Sequence, residues 1–569
     1  MYILGVHTGH DAAACVFKNN ELVAYVKEER ITRIKGDGRY FHLKAIDEAL
    51  KIAGISRKEL TAIALTRMHL PLSVYKFSKL SMKDKKRRIV NKVKNLSLAR
   101  YLLKNKTTDA SEYVCFEKLR AEFGVSENVD ILFSNHHFCH ILSSFKFIDW
   151  ANDTLLLSCD GGGDGAQYSA YHYNGNELVE LFGGEETITE AQQNEAASIG
   201  LAYSYATELC GFKRNSHEGK ITGLAAFGKP VVASEVCKLF EISSCGRIYS
   251  KLTGKQRLEE QLDVVFSGLS KEEIAASIQK ATETLLVSWV MALLNKTGSK
   301  KLALSGGVFS NVKLNYELSK LEQVQEIFVV PAMGDEGLPV GACVNYLLNL
   351  HGLQKLTRNR LDNVYFGFPY KASSLKELAI KTGFRFIEQQ PALQAATLLS
   401  EHKVGAIFYG AMEMGPRALG ARTILANPSK RDVNDSINNR LQRTEFMPFA
   451  PYVCDKDARD VFYIDEKIEY ACRFMTVVTE VKEEWVDKIR AVVHVDGTAR
   501  PQVVCRDDNP LYYDVLCEFK EITGLPVLVN TSFNAHEEPI INTPEEAIAA
   551  LKENRVDFLV CDDGVVLRD

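Results

Sequence analysis

The chain has 569 residues, too many for one hydrophobic core and enough for two to four domains. Its hydrophobic fraction of 46%, charged fraction of 25% and net charge of -4 are those of an ordinary soluble globular protein and give no general attraction to nucleic acid or anionic membrane. Thirteen scattered cysteines without a C-x-x-C pair argue against a disulfide framework or zinc ribbon, and no apolar run approaches the roughly eighteen residues of a transmembrane segment, so a reducing cytoplasm is the expected location.

In chain order, Tyr2 to His7, Ala12 to Phe17 and Leu22 to Val26 are apolar segments separated by Thr8-Gly9-His10-Asp11 and Asn19-Asn20. This spacing predicts a strand-turn-strand-turn-strand opening whose first turn can wrap phosphate oxygens. His10, in a small-residue turn and titrating near neutrality, is the candidate general base. A charged edge, Glu28-Glu29-Arg30 with Arg33 and Lys35, precedes a predicted helix from about Leu43 to Ala53 and a strand from Leu60 to Leu65. Between Lys83 and Lys106, ten Lys or Arg stand against the single acid Asp84, with Ile89, Val93 and Leu96 interleaved. That composition suits a solvated helical insertion, or a docking face for an anionic or lipid-linked acceptor.

His136, His137 and His140 fall within five residues, and a helix here puts His136 and His140 on one face about a turn apart, the geometry for sharing a metal ion. The apolar run Thr154 to Leu157 then predicts a buried strand, followed by a turn from Asp160 through Gly161 and Gly162 to Gly165 whose backbone N–H groups can approach a phosphate. Gln167 to Tyr173 and Glu177 to Phe182 read as paired strands; Ile199 to Cys210 and Lys271 to Leu294 read as helices. The strand Leu302 to Leu304 ends in Ser305-Gly306-Gly307 before a helix bearing Asn311, and the strand Glu326 to Val330 ends in a turn containing Asp335. Strand, glycine turn, helix is a layout that points helix N-termini at anions. Asp335 is the natural third ligand beside His136 and His140, a set that favours Fe(II) over a closed zinc site; an acidic helix cap is its other reading. After a linker from Leu353 to Leu361, strand and helix signals restart at about Asn363. There Arg417, Arg422, Arg443 and Arg500 supply fixed cations for phosphate or carboxylate oxygens, and Ser532 and Asn534 follow the apolar strand Val527 to Val529.

Gly9-His10-Asp11-Ala12, Glu28-Glu29-Arg30, His136-His137-x-x-His140, Asp160-Gly161-Gly162, Glu218-Gly219-Lys220, Gly306-Gly307-Val308 and Gly334-Asp335-x-Gly337, in that order, resemble the O-carbamoyltransferases of nodulation-factor and antibiotic biosynthesis. Gly415-Pro416-Arg417-Ala418-Leu419-Gly420-x-Arg422, Pro448-Phe449-Ala450-Pro451, the stretch His494 to Gln502, and Asn530-Thr531-Ser532-Phe533-Asn534 extend the resemblance across the second half. It implies an α/β and α+β chain. An N-terminal actin-like ATPase (ASKHA) fold with duplicated β-sheet/helix lobes would occupy residues 1–355, and a threonylcarbamoyl-adenylate-synthase-like (YrdC-like) α/β domain residues 363–569. It further implies ATP with Mg2+, Fe(II) or another divalent metal on His136, His140 and Asp335, and carbamoyl phosphate as donor to a hydroxyl-bearing sugar, glycan or natural product. Nucleic acid is not an expected partner, and a homodimer is compatible with the resemblance. On it, His10, Lys35 and Arg417 are catalytic. Asp160, Gly161, Gly162, Gly306, Gly307, Asn311, Arg422, Arg443, His494, Arg500, Asn530, Ser532 and Asn534 handle nucleotide and phosphate. Ala411, Thr444, Met447 and Glu537 depart from the pattern, with arginine or glutamine, glutamate, arginine and glycine common at the respective positions. The competing readings are a small-molecule kinase of the actin-like superfamily, which would not need the arginine-rich second half, a hydrogenase-maturation carbamoyltransferase, which should carry paired C-x-x-C motifs that this sequence lacks, and a non-enzymatic ATP-binding scaffold.

Overall fold

The computed structural model describes residues 1–38, 42–66, 70–74, 76, 114–164, 166–183, 198–244, 246–252, 255–443 and 448–568. The basic segment 83–106, Thr444 and Met447 lie outside the described residues.

The opening apolar segments form an antiparallel meander of β1 (Tyr2–His7), β2 (Ala13–Lys18) and β3 (Glu21–Lys27), which β4 (Ala62–Thr66) and β5 (Asp130–Ser134) extend in parallel, giving the order β3-β2-β1-β4-β5. The next stretch repeats this plan. β6 (Thr154–Gly163), β7 (Ala166–Tyr173) and β8 (Leu178–Phe182) form a meander; after a small hairpin, β9 (Phe240–Ile242) and β10 (Ile248–Ser250), β11 (Lys301–Ser305) and β12 (Glu326–Val329) complete the order β8-β7-β6-β11-β12. This is the duplicated-lobe architecture of the actin-like fold. β1 is apolar along its length because both its faces are buried: Ile3 joins the core between the lobes, and Leu4 and Val6 join a second core under the Lys44–Ile52 helix.

The helices His136–Lys146 and Leu338–His351 pack against each other beside these sheets. Their approach requires Gly341, where a β-carbon would lie 1.9 Å from the Cys139 carbonyl oxygen. Close packing here fixes the height of His136 and His140 relative to the strand ends.

In the second half, β13 (Tyr365–Pro369) pairs with β16 (Ala411–Glu413) and packs against β3, and β19 (Thr479–Glu480) pairs with β20 (Thr498–Ala499). An eight-stranded mixed sheet contains β14 (Arg385–Glu388), β15 (Gly405–Phe408), β17 (Arg422–Ala426), β18 (Ala450–Cys454), β21 (Gln502–Val504), β22 (Val527–Ser532), β23 (Phe558–Cys561) and β24 (Gly564–Leu567). Its order is β14-β24-β23-β15-β17-β22-β18-β21. This is the expected C-terminal α/β sheet.

Three local expectations need correction. The predicted Asp160 to Gly165 turn is largely strand: β6 runs to Gly163, with a shift of register between Cys159 and Gly163. The charged edge Glu28-Glu29-Arg30 is buried, Glu29 and Arg30 open a one-turn helix, and the Glu28 carboxylate accepts from Lys44 N at 3.1 Å and Ala45 N at 2.7 Å and so caps the Lys44–Ile52 helix. The Leu353 to Leu361 segment is strapped down. Arg358 lies against the rings of Phe145 and Tyr173, 4.5 Å from each centroid, and Arg360 pairs with Asp149 at 2.9 Å and Glu326 at 2.7 Å. Beyond it, Tyr470 accepts from Leu361 N, donates to Phe147 O and stacks on Phe328, so one core continues from the second lobe into the C-terminal half. Among the described residues no helix is long and apolar enough to cross a membrane.

Arg358→Ala should lower stability by about 2 kcal/mol through loss of the two ring contacts, measured by urea denaturation. Arg358→Lys should recover little of it, because an ammonium cannot stack as a planar guanidinium does.

Candidate metal centre and active site

β4, β5 and β11 end in Thr66, Ser134 and Ser305, and β1 ends in His7. This polar rim is where an α/β fold places its ligands. The His136–Lys146 helix begins at it, with Asn135 as its N-cap accepting from Phe138 N. His136, His140, Asp160 and Asp335 converge there, each offering one ligand atom, with all four atoms within 4.8 Å of one another. His140 Nε2 lies 3.3 Å from Asp160 Oδ2 and 3.6 Å from Asp335 Oδ1, and His136 Nε2 lies 3.5 Å from the same Asp335 oxygen.

Both ring nitrogens of His136 and Nε2 of His140 are buried without a hydrogen-bond partner. Orphaned polar atoms in an interior are costly, and here they face two carboxylates. Burial, reinforced by His140, pushes His136 down to about 3, so its imidazole is neutral with a lone pair to donate. Burial opposes protonation of His140 too, but Asp160 and Asp335 overcome it and push it up to about 9. The set of two imidazoles and two carboxylates fits a divalent metal of the Fe(II), Mn(II) or Zn(II) type.

The surrounding groups hold these ligands in place. His140 Nδ1 contacts the Ser305 hydroxyl at 3.1 Å. Asp160 accepts from Gly161 N, and its other oxygen from Gly307 N at 3.1 Å. Gly163 leaves room for the His136 ring, since a β-carbon there would lie 2.3 Å from His136 Cγ. His137 is satisfied elsewhere: Nε2 donates to Ala166 O at 2.8 Å, so its Nδ1 accepts from the Ser158 hydroxyl at 2.7 Å. His7, not singled out in the sequence, lies 3.7 Å from Asp335 Oδ2 and bonds Thr66 and the His10 carbonyl, tying the centre to the His10 turn. Burial pushes its imidazole down to about 4.

Two cavities lie nearby, one of them lined by this turn. The larger, about 230 Å³, is walled in part by Arg417, Arg443, Arg500, Asn530 and Ser532. The other, about 200 Å³, is lined by His10, Asp11, Lys27, Glu29 and Arg30 among others, and Lys35, Pro416, Ser532 and Asn534 line both. The Arg500 guanidinium has no hydrogen bond or ion pair among the described residues, and Arg417 makes only one long contact, 3.5 Å to Ser310 O. Burial, with the neighbouring charge of Arg417, holds Arg500 well below the usual arginine range; burial brings Arg417 to about 10. Two adjacent guanidiniums with little hydrogen bonding of their own are the kind of group that takes up phosphate or carboxylate oxygens. In the second cavity His10 Nδ1 lies 2.7 Å from Asp11 Oδ2, and Lys27 bridges Asp11 at 3.2 Å and Glu29 at 3.3 Å. The Asp11 contact raises His10 above its ordinary value, against the effect of burial.

Several candidates take other positions. Asp160 is less a phosphate orienter than a fourth member of the metal set. Gly161 and Gly307 donate their N–H groups to it, and Gly306 donates its own to Met333 O, so these glycines hold the centre and do not form an open phosphate cradle. Asn311 caps the Val312–Ser319 helix and exchanges hydrogen bonds with Gln279. Arg422 is wholly buried, donating to the carbonyls of Tyr409, Gly410 and Ala421 over the Phe408 ring, and does not line either cavity. Arg443 clamps Thr531, Ser532 and Asn534. His494 pairs with Asp496 at 3.1 Å and lines neither cavity. The lone sequence signal for Lys27 and Asp11 was charge in otherwise apolar or small-residue stretches.

Gly163→Ala, which drives a methyl into the His136 ring, should weaken cobalt(II) binding about 10- to 100-fold with an unchanged far-ultraviolet circular dichroism spectrum. Because His140 keeps its proton below about 9, wild-type cobalt(II) affinity should rise with pH and level off above that value, as read by the ligand-field absorption.

Residues 2–344 match the family model of the carbamoyltransferase N-terminus and residues 396–568 that of the carbamoyltransferase C-terminus. An uncharacterized protein of Methanocaldococcus jannaschii is 31% identical over 636 residues, covering 100% of this chain and 99% of its own. Nodulation protein NolNO of Sinorhizobium fredii is 32% identical over 568 residues, covering 97% of this chain and 78% of its own. Among solved structures, component A of the Acidaminococcus fermentans (R)-2-hydroxyglutaryl-CoA dehydratase covers 61% of this chain and 97% of its own, at 16% identity and a TM-score of 0.34. Full-length HypF in its phosphate- and nucleotide-bound form covers 62% of this chain and 56% of its own, at 15% identity and a TM-score of 0.33. The chain belongs to the carbamoyltransferase family and is an enzyme that transfers carbamoyl groups.

Proposed function

We propose that the protein is an ATP-dependent O-carbamoyltransferase working through a carbamoyl adenylate. The observation that supports this reading is a pair of buried guanidiniums, Arg500 without a partner among the described residues and Arg417 with one long contact, in a cavity that shares a wall with the His10 cavity beside the His136, His140, Asp160 and Asp335 centre.

In the arginine cavity, water cleaves carbamoyl phosphate to carbamate and phosphate. A carbamate oxygen then attacks the α-phosphorus of Mg2+-bound ATP, forming carbamoyl adenylate and expelling pyrophosphate. Arg417 and Arg500 neutralise the phosphate oxygens, and Ser532 and Asn530 line the same wall. Lys35, Pro416, Ser532 and Asn534, common to both cavities, mark the route by which the adenylate reaches His10. There His10 Nε2 takes the proton of an acceptor hydroxyl; the oxygen attacks the carbamoyl carbon, and AMP leaves with the bonding pair. Asp11, on Nδ1, orients the ring and stabilises the imidazolium. A divalent metal held by His136, His140, Asp160 and Asp335 supplies Lewis-acid polarisation when bound. The family resemblance supports a sugar, glycan or natural-product hydroxyl as acceptor.

Pyrophosphate release should require ATP and carbamoyl phosphate together and fall about 10²- to 10³-fold in Arg417→Ala, followed by a coupled pyrophosphatase assay. ADP in place of AMP and pyrophosphate would instead favour a kinase. His10 acts when unprotonated, so kcat/KM should drop as pH falls through its raised value. Asp11→Asn, which removes the group that raises it, should lower the rate and move that limb to lower pH in a pH–rate profile.

A further inference from the structure

Glu537 holds a φ of 59°, in the left-handed region. Left-handed backbone suits glycine and disfavours a residue with a β-carbon, so the side chain at this position is kept for what it touches. Among the described residues it is also the one carboxylate lining the arginine cavity, where an unpaired acid would repel phosphate.

Its partner comes from the other half of the chain. Glu537 Oε1 lies 2.6 Å from His217 Nε2, and Oε2 lies 3.7 Å from Lys213 Nζ. His217 Nδ1 accepts the Lys213 N–H at 3.2 Å, so the ring proton sits on Nε2 and is donated to Glu537. Each side is braced independently. Glu218 holds the first loop by accepting from Asn215 N at 2.6 Å and from the Ser204 hydroxyl at 2.9 Å. On the other side, Asn534 Nδ2 donates to the carbonyls of Ala535 and Glu538, and Arg555 pairs with the Glu538 carboxylate at 2.7 Å. Asn215 and Ser216 border the His10 cavity, and Ala535 and His536 border the arginine cavity. The His217–Glu537 contact therefore bridges the two loops at the seam where the cavities meet.

We infer that His217 and Glu537 form a clasp across this seam that retains the carbamoyl adenylate in the protein until an acceptor arrives. The inference rests on the proposed adenylate chemistry. Glu537 and His217 are positioning residues in it: they close the wall and take no part in either bond-making step.

The test uses the full-length protein with ATP and carbamoyl phosphate and no acceptor, following pyrophosphate over time. The wild type should release a burst of about one equivalent and then turn over slowly, because the retained adenylate blocks a second cycle. Glu537→Gly, which suits the backbone, and His217→Phe, which breaks the contact from the other side, should keep the burst and speed the slow phase about tenfold or more as adenylate escapes and hydrolyses. Glu537→Gln, whose amide oxygen still accepts from His217, should stay near the wild type. An undiminished burst shows that a variant is folded and able to form adenylate. A slow phase unchanged in both Glu537→Gly and His217→Phe, or continuous turnover by the wild type, would overturn the clasp. A wild type that releases no pyrophosphate overturns the adenylate reading itself, and the clasp with it.

Discussion

The structure depends on the convergence of two imidazoles and two carboxylates at the buried ends of parallel strands. Such groups cannot be left unpaired in a close-packed interior without a large cost. The fold supplies partners on every side: Gly161 and Gly307 donate to Asp160, Ser305 contacts His140, and His7 stands behind Asp335. Among the described residues of the centre, both ring nitrogens of His136 and Nε2 of His140 remain unbonded, and the two Nε2 atoms, beside Asp335, are the ones a cation would take. Both lobes contribute: the helix after β5 brings His136 and His140, while β6 brings Asp160 and the turn after β12 brings Asp335.

The second constraint is electrostatic and lies in the other half of the chain. Arg417 and Arg500 are held close together with no carboxylate between them, an arrangement that an anion would relieve. Arg422, by contrast, has its charge absorbed by three backbone carbonyls and an aromatic face, and serves the sheet. Guanidiniums of one chemical type thus divide into those the backbone has already satisfied and those it has not. The arginine cavity and the His10 cavity share Lys35, Pro416, Ser532 and Asn534, so they are neighbours with a common wall.

Much of this was legible in the sequence where local chemistry decides. The apolar runs became the strands of both lobes. The spacing of His136 and His140 did put both imidazoles on one helix face, and Asp335 joins them from a turn that the glycines had marked. What sequence could not show was long-range satisfaction. Nothing local reveals that Glu28 caps a helix sixteen residues on, that Asn311 is taken up by Gln279, or that the glycine N–H groups are used to hold Asp160. His7 was hidden for the same reason: at the end of an apolar strand it reads as the strand's last residue, and only the pairing of β1 with β4 brings it to Thr66 and Asp335.

The account's central claim is that an adenylate made in the arginine cavity is the species that reaches the transfer centre. Mixing the protein with α-phosphate-labelled ATP and carbamoyl phosphate, passing it quickly through a size-exclusion column and quenching the protein fraction tests this directly. Recovery of labelled carbamoyl adenylate at up to one equivalent, in the wild type and not in Arg417→Ala, is the predicted result. Label recovered only as ATP or ADP, with no adenylate formed when carbamoyl phosphate is present, would contradict it.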